Sequence, residues 1–277
     1  MKTIFITGAS SGIGRATTKY FAERGWNVVA TMRSPEKETE FVDSDSICVL
    51  KLDVENKATI EAAVAEAITR FGKIDVLLNN AGYGTMGILE AATDEQIRRQ
   101  FEVNVVGMIQ MTRAVLPHFR SNQEGMLINI SSMGGKVTFP TMSLYHSTKF
   151  AVEGFTESVS YELASQNIKT KLIEPGAIAT DFGGRSMDFF FTESLTEYKP
   201  FTSAFLGKLA DMEKDPAYAS QASLVAETIY QAATDGTSRL RYVVGPDART
   251  LIDMKENSGD EEYMKNITMH FGLSSSH

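Results

Sequence analysis

Residues Thr7 to Gly14 read TGASSGIG, directly after the apolar run Thr3–Thr7 and directly before the helical pattern Arg15–Arg24. Glycines at this junction let the chain turn sharply from strand into helix and let the backbone approach a bound group closely. The helix N-terminus then offers unpaired N–H groups and a partial positive charge, which suits a phosphate. The G-x-x-x-G-x-G spacing is one variant of the dinucleotide fingerprint. On this reading Gly8, Ser10, Ser11, Gly12, Ile13 and Gly14 form a pyrophosphate cradle. The same stretch also spells G-x-S-x-G around Ser10, as in a hydrolase nucleophile elbow. An elbow needs earlier strands to build an oxyanion loop, and only one short run precedes Gly8. It also needs a positioned late histidine. The histidines are His118, His146, His270 and His277, the last two in a polar tail and none in H-E-x-x-H spacing, so neither a triad nor a zinc site is expected.

Short β-branched runs recur along the chain at Thr3–Thr7, Asn27–Thr31, Ile47–Leu52, Ile74–Asn79, Met126–Ile130, Lys169–Ile173 and Arg241–Val244. Nearly all their residues are apolar, as in strands buried on both faces of a parallel sheet. Amphipathic stretches such as Asn56–Phe71 and Tyr145–Leu163 lie between them, and Thr93 to Gln96 form a capping box opening a helix toward Pro117. This alternation predicts a single-domain, doubly wound α/β fold with helices on both faces of a parallel sheet. The expected boundaries are a catalytic domain over 1–245 and a polar tail over 246–277 with short helical pieces at best. No strand pattern appears from Ala177 to about Pro216.

The net charge of −8 over 277 residues argues against binding nucleic acid or anionic membranes. No run is long and apolar enough for a membrane span. Met1-Lys2 leads straight into a strand, and Cys48 is the single cysteine, so a cytoplasmic, reducing location is expected.

The second strand ends Ala30-Thr31-Met32-Arg33, with no carboxylate where an NAD site would hold the adenosine ribose. Arg33 instead offers a guanidinium suited to the 2′-phosphate of NADP. Glu36 and Glu38 follow in a polar loop and read as surface residues. Asp53 and Val54, after the third strand, are placed for an adenine edge. Asn79-Asn80-Ala81-Gly82 closes the fourth strand with small residues past which a cofactor can lie.

Tyr145 and Lys149 share one helix face. A phenol has a pKa near 10, so moving it toward neutrality takes about 3 units, roughly 4 kcal/mol, and a neighbouring ammonium, aided by a positive nicotinamide ring, is a source of that. Ser132, or its rival Ser131, ends the fifth strand, where a hydroxyl faces the ligand crevice. Together TGASSGIG, the Asn79–Gly82 NNAG, Asn104, the Ser132–Tyr145–Lys149 set and Pro175-Gly176 with Thr180 resemble the short-chain dehydrogenase/reductase family, over roughly residues 2 to 245. The resemblance implies a Rossmann-type fold and an NADP(H)-dependent oxidoreductase acting on a carbonyl or alcohol, with NADPH preferred over NADH. It makes Tyr145 the proton donor or acceptor and Ser132 the substrate hydrogen bond. Lys149 would tune Tyr145 and hold the ribose, and Asn104 would anchor a water relay. Pro175, Gly176, Ile178 and Thr180 would meet the nicotinamide carboxamide, beside Asn80, Ala81 and Gly82. It also implies a homodimer or homotetramer, through helices containing Gln100–Leu116 and Tyr145–Leu163.

The 177–216 stretch falls where this family carries its substrate lid. Six phenylalanines, Tyr198 and Met187 between Phe182 and Phe205 suggest a cover for a bulky apolar substrate of steroid, retinoid or lipid type. The competing reading has those aromatics filling core under a loop. Two other functions fit the same motifs: an NADP sensor without turnover, and a sugar-nucleotide epimerase or dehydratase. The intact Ser132, Tyr145, Lys149 and Asn104 set argues against the first, the glycine spacing against the second.

Overall fold

The structure is a computed structural model and describes residues 1–41, 44–184, 186–215 and 218–273. Pro216 and His277, which end the expected lid and tail, lie outside the described residues. Strands β1 (Thr3–Ile6), β2 (Asn27–Met32), β3 (Ile47–Lys51), β4 (Val76–Asn79), β6 (Gly125–Ile130), β7 (Ile168–Pro175) and β11 (Arg241–Val244) form one seven-stranded sheet in the order β11-β7-β6-β4-β1-β2-β3. β5 (Gly84–Gly87) lies outside it. Every pairing is parallel, so all strand C-termini open on one edge. The order reverses between β1 and β4, and this switch point opens the crevice in which doubly wound sheets bind ligands.

Alternation along each strand feeds two cores. Ile4, Ile6, Val28, Ala30, Val76 and Leu78 pack on one face with Phe21 of α1 (Gly12–Ala22) and Val225 and Ile229 of α7 (Ala222–Thr234). Phe5, Val29, Leu77 and Leu127 point the other way. They meet Ile60 and Val64 of α2 (Lys57–Phe71), Met111 and Val115 of α4 (Met108–Asn122), and Val159 of α5 (Ser143–Ala164). Both faces are covered, so each fully buried side chain here contributes about 1.5–3 kcal/mol. The Thr93 capping box opens α3 (Asp94–Phe101), a π-helical turn spans Glu102–Gly107, and α4 continues with Pro117 inside it.

Two expectations need correction. The 177–216 stretch does contain strands. β9 (Met187–Phe190) pairs in parallel with β5, and β8 (Ile178–Ala179) pairs with β10 (Ser220–Gln221). α6 (Lys199–Met212) follows β9. Over its described residues, 246–273, the expected polar tail is more than short pieces of helix. It forms α8 (Pro246–Asn257) and α9 (Asp260–His270), which bury Leu251, Ile252, Tyr263 and Ile267 in a third apolar cluster with Tyr145, Phe205 and Phe271. The Tyr263 hydroxyl donates to Thr138 O at 2.8 Å and so ties α9 to the loop preceding α5. Each helix offers a narrow apolar stripe on an otherwise polar surface, which composition alone hides.

Candidate active site

The glycine turn takes its shape from contacts to Asn80 and Ala81, just after β4. Gly8 has φ +70°, and a Cβ there would stand 2.9 Å from Ala81 Cα. A Cβ on Gly14 would stand 2.3 Å from Gly8 O. No larger residue fits either position without moving backbone. Asn80 Nδ2 donates to the carbonyls of Thr7 and Gly8, both at 2.9 Å, and Thr7 Oγ1 accepts the N–H groups of Asn80 and Ala81, both at 3.0 Å. Ser11 is the N-cap of α1, but its side chain makes no capping bond, and no acid lies in the first turn. The first N–H groups of α1 are therefore open to an anion. This cradle fits the pyrophosphate of a dinucleotide.

A cleft of about 1000 Å³ runs from this turn across the C-terminal edge of the sheet. It is lined by Gly8, Ser10, Ser11, Gly12 and Ile13, then by Arg33, Asp53, Val54, Asn80, Ala81 and Gly82. Ser132, Tyr145, Lys149, Pro175, Gly176, Ile178 and Thr180 line it further along. Two expected residues do not line it. Gly14 lies behind the turn, where its smallness permits the close approach of Gly8. Asn104 is buried in the π-helical turn, donates to Tyr83 O at 2.8 Å and to Thr148 Oγ1 at 3.1 Å, and accepts Tyr83 N–H at 3.0 Å.

Tyr145 stands in the first turn of α5, buried, with Ser132 beside it on the cleft wall, and the Ser132 hydroxyl donates to Pro175 O at 3.4 Å. Ser132 Oγ also accepts Gly134 N–H at 3.0 Å. Ser131 Oγ is buried and has no partner, so the geometry separates the two serines. Lys149 Nζ donates to Ile130 O at 2.9 Å and sits 5.7 Å from the Tyr145 ring centroid. Burial lowers its ammonium to about 8, against an upward pull from Glu153. Burial also pushes the Tyr145 phenol up to about 12, opposed by the Ser132 hydroxyl. The sequence predicts a phenol drawn down by its ammonium neighbour. In the cofactor-free structure burial raises it instead, and Lys149 is engaged by a carbonyl. At neutral pH the phenol keeps its proton, which is the state a proton donor needs.

The family model described as "short chain dehydrogenase" matches residues 2–188. The chain belongs to the short-chain dehydrogenase/reductase family. It is 34% identical over 248 residues to a 3-ketodihydrosphingosine reductase of Bacteroides thetaiotaomicron, covering 90% of this chain and 89% of that protein. A solved short-chain dehydrogenase from Streptomyces avermitilis superposes with TM-score 0.82 at 31% identity, covering 96% of this chain and 97% of that one. Structures at 26% identity include ElxO with NADP bound (TM-score 0.73, 90% and 98% covered) and a 3-ketoacyl-(acyl-carrier-protein) reductase from Brucella melitensis with NADH (TM-score 0.71, 88% and 96% covered).

Around the adenosine end of this dehydrogenase, one neighbour escapes sequence reading. Glu38 is buried, not on the surface, and pairs with Arg15, whose other amino group pairs with Glu40. Arg15 Nε donates to Ser10 O at 3.0 Å, so this guanidinium braces the turn and is neutralised there. Arg99, also on the cleft wall, lies 3.9 Å from Glu55. Among the described residues lining the cleft, Arg33 is the one arginine or lysine without a protein partner.

The aromatic lid divides between the two readings. Phe182 lines the cleft with its ring 5.9 Å from that of Tyr145, and Phe189 lines it while 51% exposed. Phe190 is buried against Gly87, where a Cβ would stand 2.3 Å from its ring. Phe189→Ala is therefore expected to weaken bulky apolar substrates by lost contact area, at about 25 cal/mol per Å², with little change in stability. Phe190→Ala should cost about 3–5 kcal/mol of stability, like other core aromatics. Chemical denaturation beside KM values for a large and a small ketone checks both; equal KM changes for the two ketones in Phe189→Ala would remove it from the pocket.

Proposed function

We propose that the protein is an NADP(H)-dependent reductase of bulky apolar ketones or aldehydes. The observation that carries this reading is a buried Tyr145 phenol that shares one cleft with Ser132, Lys149 and the glycine cradle. A bound reduced nicotinamide supplies the hydride. Tyr145 Oη gives its proton to the substrate oxygen as negative charge gathers there, and Ser132 Oγ holds that oxygen in line. The substrate end of the cleft is walled by Met86, Met142, Phe182, Met187, Leu209 and Met254, which suits an apolar substrate. The Bacteroides relative, named a 3-ketodihydrosphingosine reductase, supports the same reading. The test is an NADPH oxidation screen over ketones of graded size. Turnover that falls as the apolar bulk grows would overturn the substrate class.

Arg33 carries the cofactor preference. It directly follows β2, is exposed at the cleft wall and has no protein partner, while Met32 offers no carboxylate to a ribose. Neighbours of this fold hold either cofactor, so the choice rests on such local charge. A charge-assisted contact to a phosphate is worth roughly 1.5–3 kcal/mol. Arg33→Ala should therefore weaken NADPH by about 10- to 150-fold and leave NADH nearly unchanged. Dissociation constants for both cofactors check this; a wild type that prefers NADH, or a variant that loses both alike, would remove the assignment.

A further inference from the structure

Asp247 stands in the first turn of α8, beyond the stretch that the family model matches. Its Oδ2 accepts the Ala177 N–H at 2.7 Å. The backbone at Gly176 runs so close that a Cβ there would lie 2.2 Å from Oδ2. Gly245 brings α8 into this position with φ +103°, and a Cβ on it would lie 2.5 Å from Oδ1. Oδ1 is buried and has no hydrogen-bond partner. The segment is also held by Gly176 N–H to Val244 O at 2.8 Å, by Ser220 N–H to Ala177 O at 2.9 Å and by the Ser132 hydroxyl, which donates to Pro175 O at 3.4 Å. One carboxylate thus grips the strand-end segment that runs from Pro175 to Thr180. The helix carrying it also lines the substrate end of the cleft with Thr250, Leu251 and Met254.

We infer that Asp247 is a positioning residue that locks the 176–178 segment to α8, so that seating of the cofactor and order in the C-terminal wall of the substrate chamber are coupled. The inference rests on the proposed NADP(H) reading, which places the nicotinamide against this segment. A carboxylate is a strong acceptor for a shielded N–H. Its loss leaves Ala177 N–H unpaired and frees the segment that the cofactor must meet. Coupling of this kind is reciprocal, so the cofactor in turn should steady α8.

The test compares wild type, Asp247→Ala and Asp247→Asn by calorimetric titration with NADPH and by hydrogen exchange read by mass spectrometry. In cofactor-free protein, Asp247→Ala should speed exchange over 175–180. It should weaken NADPH about tenfold, the equivalent of 1.4 kcal/mol. In wild type NADPH should slow exchange over both 175–180 and 246–257, and in Asp247→Ala the second effect should vanish. Asp247→Asn keeps an acceptor oxygen, so it should retain the protection and stay within about threefold of wild-type affinity. Gly176→Ala, which drives a methyl group at the carboxylate, should reproduce the loss of protection over 246–257 and serves if Asp247→Ala does not fold. Wild-type binding and protection in Asp247→Ala would overturn the inference, as would equal losses in the Ala and Asn variants. A wild type that binds no NADPH would instead remove the cofactor reading, while the cofactor-free exchange over 175–180 would still report on the grip of Asp247.

Discussion

Tyr145→Phe is expected to reduce carbonyl turnover by about 10²- to 10⁴-fold, the usual worth of a positioned proton donor, while NADPH binding stays at the wild-type level. The substitution removes one hydroxyl and keeps the ring that packs against Phe182 at 5.9 Å. Substrate fit is preserved and only the proton is lost. Because burial holds the phenol at about 12, wild-type reduction should not fall off through loss of this proton anywhere between pH 6 and pH 9. Reduction rates and NADPH affinity for both proteins decide the matter. A variant keeping more than about a tenth of wild-type activity, under about 1.4 kcal/mol of barrier, would take the proton-donor role away from Tyr145.

Lys149→Met should lower activity and raise stability together. The ammonium is buried at the end of its stem and holds Ile130 O at 2.9 Å. Its pKa falls from 10.5 to about 8 on folding. Between those values the unfolded chain binds more protons than the native one, so this group's contribution to stability rises with pH across that window. Below about 8 the native state carries the full cost of a buried charge, roughly 3 kcal/mol from the shift. Methionine removes that charge but leaves Ile130 O unpaired, which returns about 1 kcal/mol. The net expectation at pH 7 is a gain of about 2 kcal/mol, shrinking as pH climbs from 8 toward 10.5. Denaturant unfolding at pH 7 and pH 10 measures it. A variant less stable at pH 7, or a difference that does not change with pH, would show that Lys149 is not a cost to the fold. Such a trade is common where a charged side chain is kept for chemistry.

The parallel sheet was legible in the sequence because its signal is local. Seven mainly apolar runs match the seven strands of the main sheet within a residue or two, since strands covered on both faces are rich in apolar residues. The glycine turn was legible for a similar reason: Gly8 and Gly14 stand where any Cβ would strike backbone. The cleft that gathers Ser132, Tyr145 and Lys149 was legible from spacing on one strand end and one helix face. Tertiary structure decided what depends on distant partners. Glu38 reads as a loop acid but is buried, paired with Arg15 from another element and accepting the N–H groups of Thr39 and Glu40. α8 and α9 look polar until the third cluster gives their narrow stripes something to cover. β9 lacks its own strand signal and exists as a strand through pairing with β5. The direction of the Tyr145 shift was also out of reach, because sequence places an ammonium one turn away but does not say how much water the fold removes or which carbonyl the ammonium will take. Covalent spacing sets which side chains share a face; burial, and with it charge state and hydrogen-bond choice, is set by segments far apart in the chain.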